Sequence, residues 1–403
     1  MLTVLTLSEA DALLTARFSG TVMPAETAPL HEACGRVLAA DVTAAADVPA
    51  FLRATVDGYA VRAADTYGCS EAMPALLSLA GEVRMGEAAG VALHGADCAA
   101  VPTGGALPVG ADGMVMAEDT ERLTDGTVAV MRPTAPGRHT VFPGDDVKRG
   151  CTVLAAGHTL RPNDIGALAA LGVTDVMVRK RPRAAVLSTG DELVPPGETP
   201  GPGQVRDVNG PMLLAALTAD GAAATSYGIV RDGAGESALS SAVCDATATC
   251  DLVLLSGGSS AGERDATARV LESAGRLLFH GLAVQPGKPT LAGEIGAKPV
   301  FGLPGHPMAA YMTYRLLVRG CLYRMLGARM PGHTCRAVLT APVSSNGGRE
   351  SLIPVRLDER GGAVPVISKS GLITPLTATD GYLRIPRDAE GLCAGDEATV
   401  FLW

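Results

Sequence analysis

From Arg179 to about Gly327 the chain alternates short apolar runs with amphipathic ones, and this alternation limits its fold more than any other feature. AAVLSTG, AAATSYGIV, DLVLLSGG and PVFGLPG read as strands. VNGPMLLAALTADG, ESALSSAVCDATAT, DATARVLESAG and PMAAYMTYRLLVRGCLYRMLG read as helices. Repeated strand–helix units give a parallel sheet covered on both faces, because each parallel crossover needs a long connection. Ligands of such sheets sit beyond the carboxyl ends of the strands. Three of those ends run into glycine loops here: STGDEL, SGGSSAGERD and GLPGHP.

The flanking regions have another texture. Apolar spacing predicts a helix over residues 7–18 with Ser8 as its N-cap. From about 40 to 145, DGYAVRAAD, AGEVRMGE, DGMVMAED and TVAVMRP are short β-like runs between Gly and Pro, which predicts a small barrel or sandwich. Residues 146–178 mix a strand pair with a helix starting near Asn163. After Gly327, CRAVLTAPV, SLIPVRL, AVPVI, GYLRIP and EATVFLW predict a small β-domain.

Aromatic residues make up only 3%, so the cores must be built from Ala, Val and Leu. The net charge of −9 comes without basic runs, which argues against nucleic acid or an anionic membrane as partner. A small anionic ligand needs only local positive charge and oriented amides. The nine cysteines form no C-x-x-C pair and read as reduced thiols. With Glu9 and Asp11 in the N-terminal stretch and no long apolar run, a cytoplasmic, membrane-free location is expected.

Familiar nucleotide fingerprints are missing. Gly287-Lys288 is followed by Pro289 rather than Ser or Thr, and no G-x-G-x-x-G opens a helix. Gly258-Ser259-Ser260-Ala261-Gly262 fits G-x-S-x-G, with Asp265 and His306 following in triad order. Against a hydrolase with Ser260 as nucleophile, the glycines spread the turn over about seven residues, and helical periodicity starts only near Asp265. The same glycines suit an anion held by backbone N–H groups at a helix N-terminus. STGDELVPPG supplies Thr189, Asp191 and Glu192, and QPGKP supplies Lys288 on a stiff turn. Together they offer carboxylates for a hard cation such as Mg²⁺ and a point charge for an anion. The plainer readings are that Asp191 and Asp265 cap turns, that Lys288 is a solvated lysine, and that His306 is a turn or helix-entry residue. In the first half, Asp57-Gly58, Thr103 beside two glycines, and Asp145-Asp146 each read as an ordinary turn.

Taken in order, VDGYAV, PTGGALPVGAD, PGDDV, LSTGDEL, VRDVN, GIVRDG, SGGSSAGERD, PGKPT, FGLPGHP and SGLITPL…DGYLRIP resemble the molybdopterin molybdenumtransferase family, the MoeA and gephyrin E-domain proteins. The resemblance runs from about residue 5 to 402. It implies a multidomain α/β plus β fold in four parts. These are an elongated discontinuous subdomain (1–43 and 146–178), an inserted β-rich subdomain (44–145), a three-layer α/β molybdopterin-binding domain (179–327) and a C-terminal β-barrel-like domain (328–403). It implies a homodimer with a composite site, and insertion of molybdate into adenylylated molybdopterin with release of AMP, assisted by Mg²⁺. A molybdopterin adenylyltransferase and molybdoenzymes are the implied partners.

By motif, the resemblance assigns catalytic positions to Asp57, Thr103, Asp146, Glu192, Asp232 and Asp265. The last three are also the implied metal ligands. Cofactor-binding positions fall on Thr189, Gly190, Asp191, Ser256, Gly257, Gly258, Ser259, Gly287, Lys288, Pro304, Gly305, Arg349 and Thr374. The chain departs from the family pattern at Gln285, where a lysine is usual, and near Gly281. It also has His306 for an amide, Ala309 for a hydroxyl and Ala54 for a serine. Two alternatives stay open on these departures: a paralogue that binds or carries the pterin without inserting metal, or an insertase for tungstate, which matches molybdate in size and charge.

Overall fold

The computed structural model describes residues 4–257 and 261–403, with the side chains of Ala234 and residues 261–265 outside that description. At its centre, a six-stranded sheet runs in the order Ala223–Val230, Arg183–Thr189, Leu252–Gly257, Lys298–Leu303, Leu291–Ile295, Arg276–His280. The first four strands are parallel. The last two join as an antiparallel edge that the strand–helix alternation did not reveal.

Period-two alternation sorts the buried residues onto two faces. Ala184, Val186, Leu252, Leu254, Phe301 and Leu303 pack to one side with residues of the helices Asn209–Ala219 and Leu7–Phe18. Ala185, Leu187, Val253, Leu255 and Val300 pack to the other with residues of Gly235–Thr249 and Ala261–Ala274. The helix Leu7–Phe18 is capped by Thr6 rather than by the expected Ser8. The Thr6 hydroxyl accepts from the Glu9 N–H, and the Glu9 carboxylate accepts from the Thr6 N–H. The long closing helix is not uniform: Pro307–Thr313 and Arg319–Met325 flank a wider π turn at Tyr314–Val318. The Tyr314 hydroxyl and Arg319 Nε both donate to Asp220 at 2.8 Å.

In the first half, a second six-stranded sheet has the order Gly113–Met116, Gly58–Val61, Asp97–Val101, Ala75–Glu82, Thr127–Val130, Thr120–Arg122. Ala60, Ala99 and Met114 pack on one face, and Val61, Cys98 and Val115 on the other. No described pairing joins its two end strands, so this sheet does not close into a barrel. Beside it, Ala25–Pro29 pairs antiparallel with Asp175–Arg179, bringing the segments before and after the insertion together. The helix Pro162–Ala170 is held by Asp164, whose carboxylate meets His158 Nε2 at 2.7 Å and Arg161 Nε at 3.1 Å.

The C-terminal strands Glu350–Leu357, Gly362–Pro365, Thr334–Leu339, Glu397–Leu402 and Gly381–Ile385 pair in a ring, the last returning to the first. This closed five-stranded barrel leaves no free edge within the ring. Val284–Gln285 adds to Glu350–Ser351 in parallel, so the segment leading into Pro-Gly-Lys-Pro ties the α/β part to the barrel.

Candidate active site between the central sheet and the barrel

Where these two parts meet, a cavity of about 890 Å³ opens. Thr189 and Gly257, at the carboxyl ends of neighbouring parallel strands, line it together with Gly287, Lys288, Pro304, Gly305 and Arg349. Seven of the residues singled out in the sequence therefore share one surface. Also on it are Ser344, Asn346, Ser368, Lys369 and Ser370, which local sequence did not flag.

Two glycines are required by contact. A Cβ on Gly257 would lie 1.8 Å from Thr189 Oγ1. One on Gly287, at φ +127°, would lie 2.6 Å from the Thr313 methyl carbon. Behind them, buried Asn209 links two loops: its Nδ2 donates to Ser256 Oγ at 2.8 Å and to the Gly305 carbonyl at 2.9 Å. Because a carbonyl can only accept, the nitrogen must face Gly305. Asn209 Oδ1 is consequently left enclosed and without a donor among the described residues. Asp207 fixes the start of that helix, accepting from Ser188 Oγ at 2.6 Å and from the Gly210 N–H at 2.9 Å. Both residues lie in VRDVN, a motif whose individual residues had been given no role.

The charge of the cavity is one-sided. Lys288, Arg349 and Lys369 line it, and no Asp or Glu does so among the described residues. None of the three cations has a hydrogen-bond or ion-pair partner among the described residues. In a chain of net charge −9 this is a local reversal of sign. A dianionic tetrahedral oxyanion or a phosphate is the ligand such a wall suits.

Carboxylates stand next to the cavity rather than in it. A Cβ on Gly190 would lie 2.6 and 2.8 Å from the Glu192 carboxylate oxygens. The Asp191 N–H donates to Asp232 Oδ2 at 3.3 Å, while Asp191 Oδ1 accepts from the Gly233 N–H at 3.2 Å, locking two strand-end loops. Gly258, Ser259 and Ser260 lie outside the described residues, as does the Asp265 side chain. Among the described residues no group of three Asp, Glu, His or Cys converges as a metal site. The helix expected from near Asp265 begins at Ala261. His306 precedes the helix Pro307–Thr313, and its side chain makes no capping bond among the described residues. Its Nδ1 lies 2.8 Å from Ser370 Oγ, so the described partner of the imidazole is Ser370.

The first-half residues do not line this cavity. Asp57 Oδ1 accepts from the Thr103 N–H at 2.7 Å, and hydrogen bonds from Thr103 hold its carboxyl below the usual carboxylate range. Asp146 is exposed, and it is neighbouring Asp145 that closes the turn by accepting from Phe142 N–H at 2.7 Å. Thr374 opens a short helix, Thr374–Thr377, and does not reach the cavity.

Residues 5–172 match the MoeA N-terminal region (domain I and II), residues 185–324 a probable molybdopterin-binding domain, and residues 336–403 the MoeA C-terminal region (domain IV). Molybdopterin molybdenumtransferase 2 of Mycobacterium tuberculosis is 35% identical over 385 residues, covering 93% of this chain and 94% of its own. A putative molybdopterin biosynthesis protein of Methanocaldococcus jannaschii is 33% identical over 382 residues, covering 92% of this chain and 90% of its own. The crystal structure of the Pyrococcus horikoshii molybdopterin biosynthesis MoeA protein superposes with a TM-score of 0.84 at 37% identity, covering 99% of both chains. All three parts of the chain thus match one family in order, and the chain belongs to the MoeA family of molybdopterin molybdenumtransferases.

Proposed function

We propose that this chain inserts molybdenum from molybdate into adenylylated molybdopterin, with release of AMP. The observation that carries the reading is the cavity at the strand ends, whose wall holds three cations without a partner and no carboxylate among the described residues. The bond to be broken is the phosphoanhydride between the pterin phosphate and AMP. Negative charge on its oxygens, and on molybdate as substrate, calls for fixed positive charge in a partly dehydrated site. Lys288 and Arg349 supply that charge from opposite sides of the α/β–barrel junction. Gly257 and Gly287 let backbone approach the ligand closely.

The acidic residues take a second role. Glu192, Asp232 and Asp265 are hard oxygen donors of the type that Mg²⁺ uses, and would hold that ion beside the phosphate. When bound, Mg²⁺ would add positive charge at the phosphoanhydride oxygens. Asp57, Thr103 and Asp146 lie away from their own chain's cavity. In this reading they act in a homodimer, approaching the cavity of a second copy.

The test is molybdate-dependent AMP release by the purified chain from adenylylated molybdopterin with Mg²⁺. Lys288→Gln should lower kcat/KM by about tenfold or more, the loss of one charge-assisted contact. Tight pterin binding with no AMP release would instead favour the carrier reading. Labelling of Ser260 by a covalent serine probe would favour the hydrolase. The same assay with tungstate separates the two oxyanions.

A further inference from the structure

Lys369 belongs to a loop of the barrel, Val366 to Ser370, that is fixed from several directions. The Val366 N–H donates to the Pro354 carbonyl at 2.8 Å, and the Lys369 carbonyl accepts from the Leu372 N–H at 3.0 Å. Two further bonds cross to the α/β part. The Ser370 carbonyl accepts from the Met308 N–H at 3.2 Å, and Ser370 Oγ meets His306 Nδ1 at 2.8 Å. A surface lysine ordinarily sits on a mobile turn beside a carboxylate or in bulk water. Here its backbone is pinned, its ammonium has no partner among the described residues, and it shares the cavity wall with Lys288 and Arg349. Next to it, Ser368 Oγ is enclosed and has no hydrogen-bond partner among the described residues. Lys288 and Lys369 are exposed and Arg349 half-buried, so all three are open to a ligand, and a multivalent anion on this wall would interact favourably with each.

We propose that Lys369 is a binding residue for the tetrahedral oxyanion group of the ligand, with His306 as the positioning residue that holds its loop through Ser370. The inference rests on the anion-site reading above and adds to it a cation supplied by the barrel and a tether supplied by the α/β part. Molybdate and the phosphate of a nucleotide share the recognised chemistry, a cluster of tetrahedrally arranged, negatively charged oxygens.

The experiment is calorimetric titration of the full chain with molybdate alone and, in a second arm, with AMP alone. It uses wild type, Lys369→Gln, Lys369→Arg, His306→Ala and Lys288→Gln, with adenosine as the uncharged control. Lys369→Gln should weaken binding about tenfold in at least one arm, with adenosine unaffected, while Lys369→Arg keeps most of the affinity. The arm that responds identifies which oxyanion the residue contacts. His306→Ala should give a smaller loss, about threefold, because the charge stays but its position loosens. Unchanged binding by Lys369→Gln in both arms, with a clear loss in Lys288→Gln, would overturn the assignment and leave the anion site standing. An equal loss in Lys369→Arg and Lys369→Gln would also overturn it, since the charge would then not be what matters. No loss from any variant would remove the anion-site reading itself.

Discussion

Two kinds of charged cluster occur in this molecule, and they differ in whether their groups are satisfied. Around Asp220, Arg319 Nε, the Tyr314 hydroxyl and the Tyr323 hydroxyl all converge on one carboxylate. Around Asp164, the Arg161 N–H, Arg161 Nε and His158 Nε2 do the same. In the cavity, by contrast, Lys288, Arg349 and Lys369 face a shared space without a described counter-charge. A self-contained cluster stabilises the fold it sits in, whereas an incomplete one needs a partner from outside. The contrast separates structural charge from binding charge without reference to any family.

The sharpest way to break that distinction is Asp220→Ala. Arg319 and both tyrosines would lose their shared acceptor, and an uncompensated, nearly buried guanidinium would remain. Removing one member of such a pair costs about 3–5 kcal/mol. Denaturant unfolding should therefore show a large loss of stability, while molybdate affinity, measured where the variant is still folded, stays unchanged. An equal fall in affinity would mean that the two kinds of cluster are coupled and the contrast is void.

Asp164→Asn should have a smaller effect with a distinct pH signature. Burial pushes the Asp164 carboxyl up, but hydrogen bonds from Arg161 and His158 outweigh it and hold the group far below the usual carboxylate range. A depressed folded-state pKa gives stability that is complete above the unfolded value, about 3.9, and is lost as pH falls below it. The gap between wild type and variant should be about 2–3 kcal/mol at pH 7, hold down to about pH 5, and shrink below about pH 4. A gap that widened on acidification would show that Asp164 is not held ionised by this cluster.

How much of this was legible in the sequence depends on range. The strand–helix alternation from Arg183 onward placed Thr189 and Gly257 at strand ends, because each assignment needed only local periodicity. Thr6 as N-cap was also readable, since Thr6 and Glu9 form a T-x-x-E box that the Ser8 assignment passed over. The helix start at Ala261 was hidden by Gly262, a poor helix former that interrupts the apparent periodicity. The antiparallel edge strands Arg276–His280 and Leu291–Ile295 are short and carry no two-residue hairpin signal between them. The cavity itself was not legible. It depends on Val284 pairing with Glu350 and on His306 meeting Ser370, contacts 66 and 64 residues apart that no local pattern encodes. Lys369 was missed for the same reason. Thr374, given a cofactor-binding position by the resemblance, is not on the wall, whereas the loop Val366 to Ser370, four to eight residues earlier, is.

The smallest effect tests whether the cavity's charge is limiting. Gln285 also lines it, uncharged, its Oε1 accepting weakly from Asn346 Nδ2 at 3.4 Å. Gln285→Lys breaks only that long contact and places a further ammonium on the side from which Lys288 comes. If the described cations leave the bound oxyanion partly uncompensated, the added charge should tighten molybdate binding by about three- to fivefold at low salt. The gain should shrink at an ionic strength of about 1 M, where the screening length falls to about 3 Å. Titration at two salt concentrations separates this from a packing effect, which salt would leave untouched. Weaker binding would carry a different lesson, because repulsion with Lys288 would then exceed attraction to the anion. In that case the wall already holds all the positive charge its ligand can compensate, and the neutral Gln285 is matched to it.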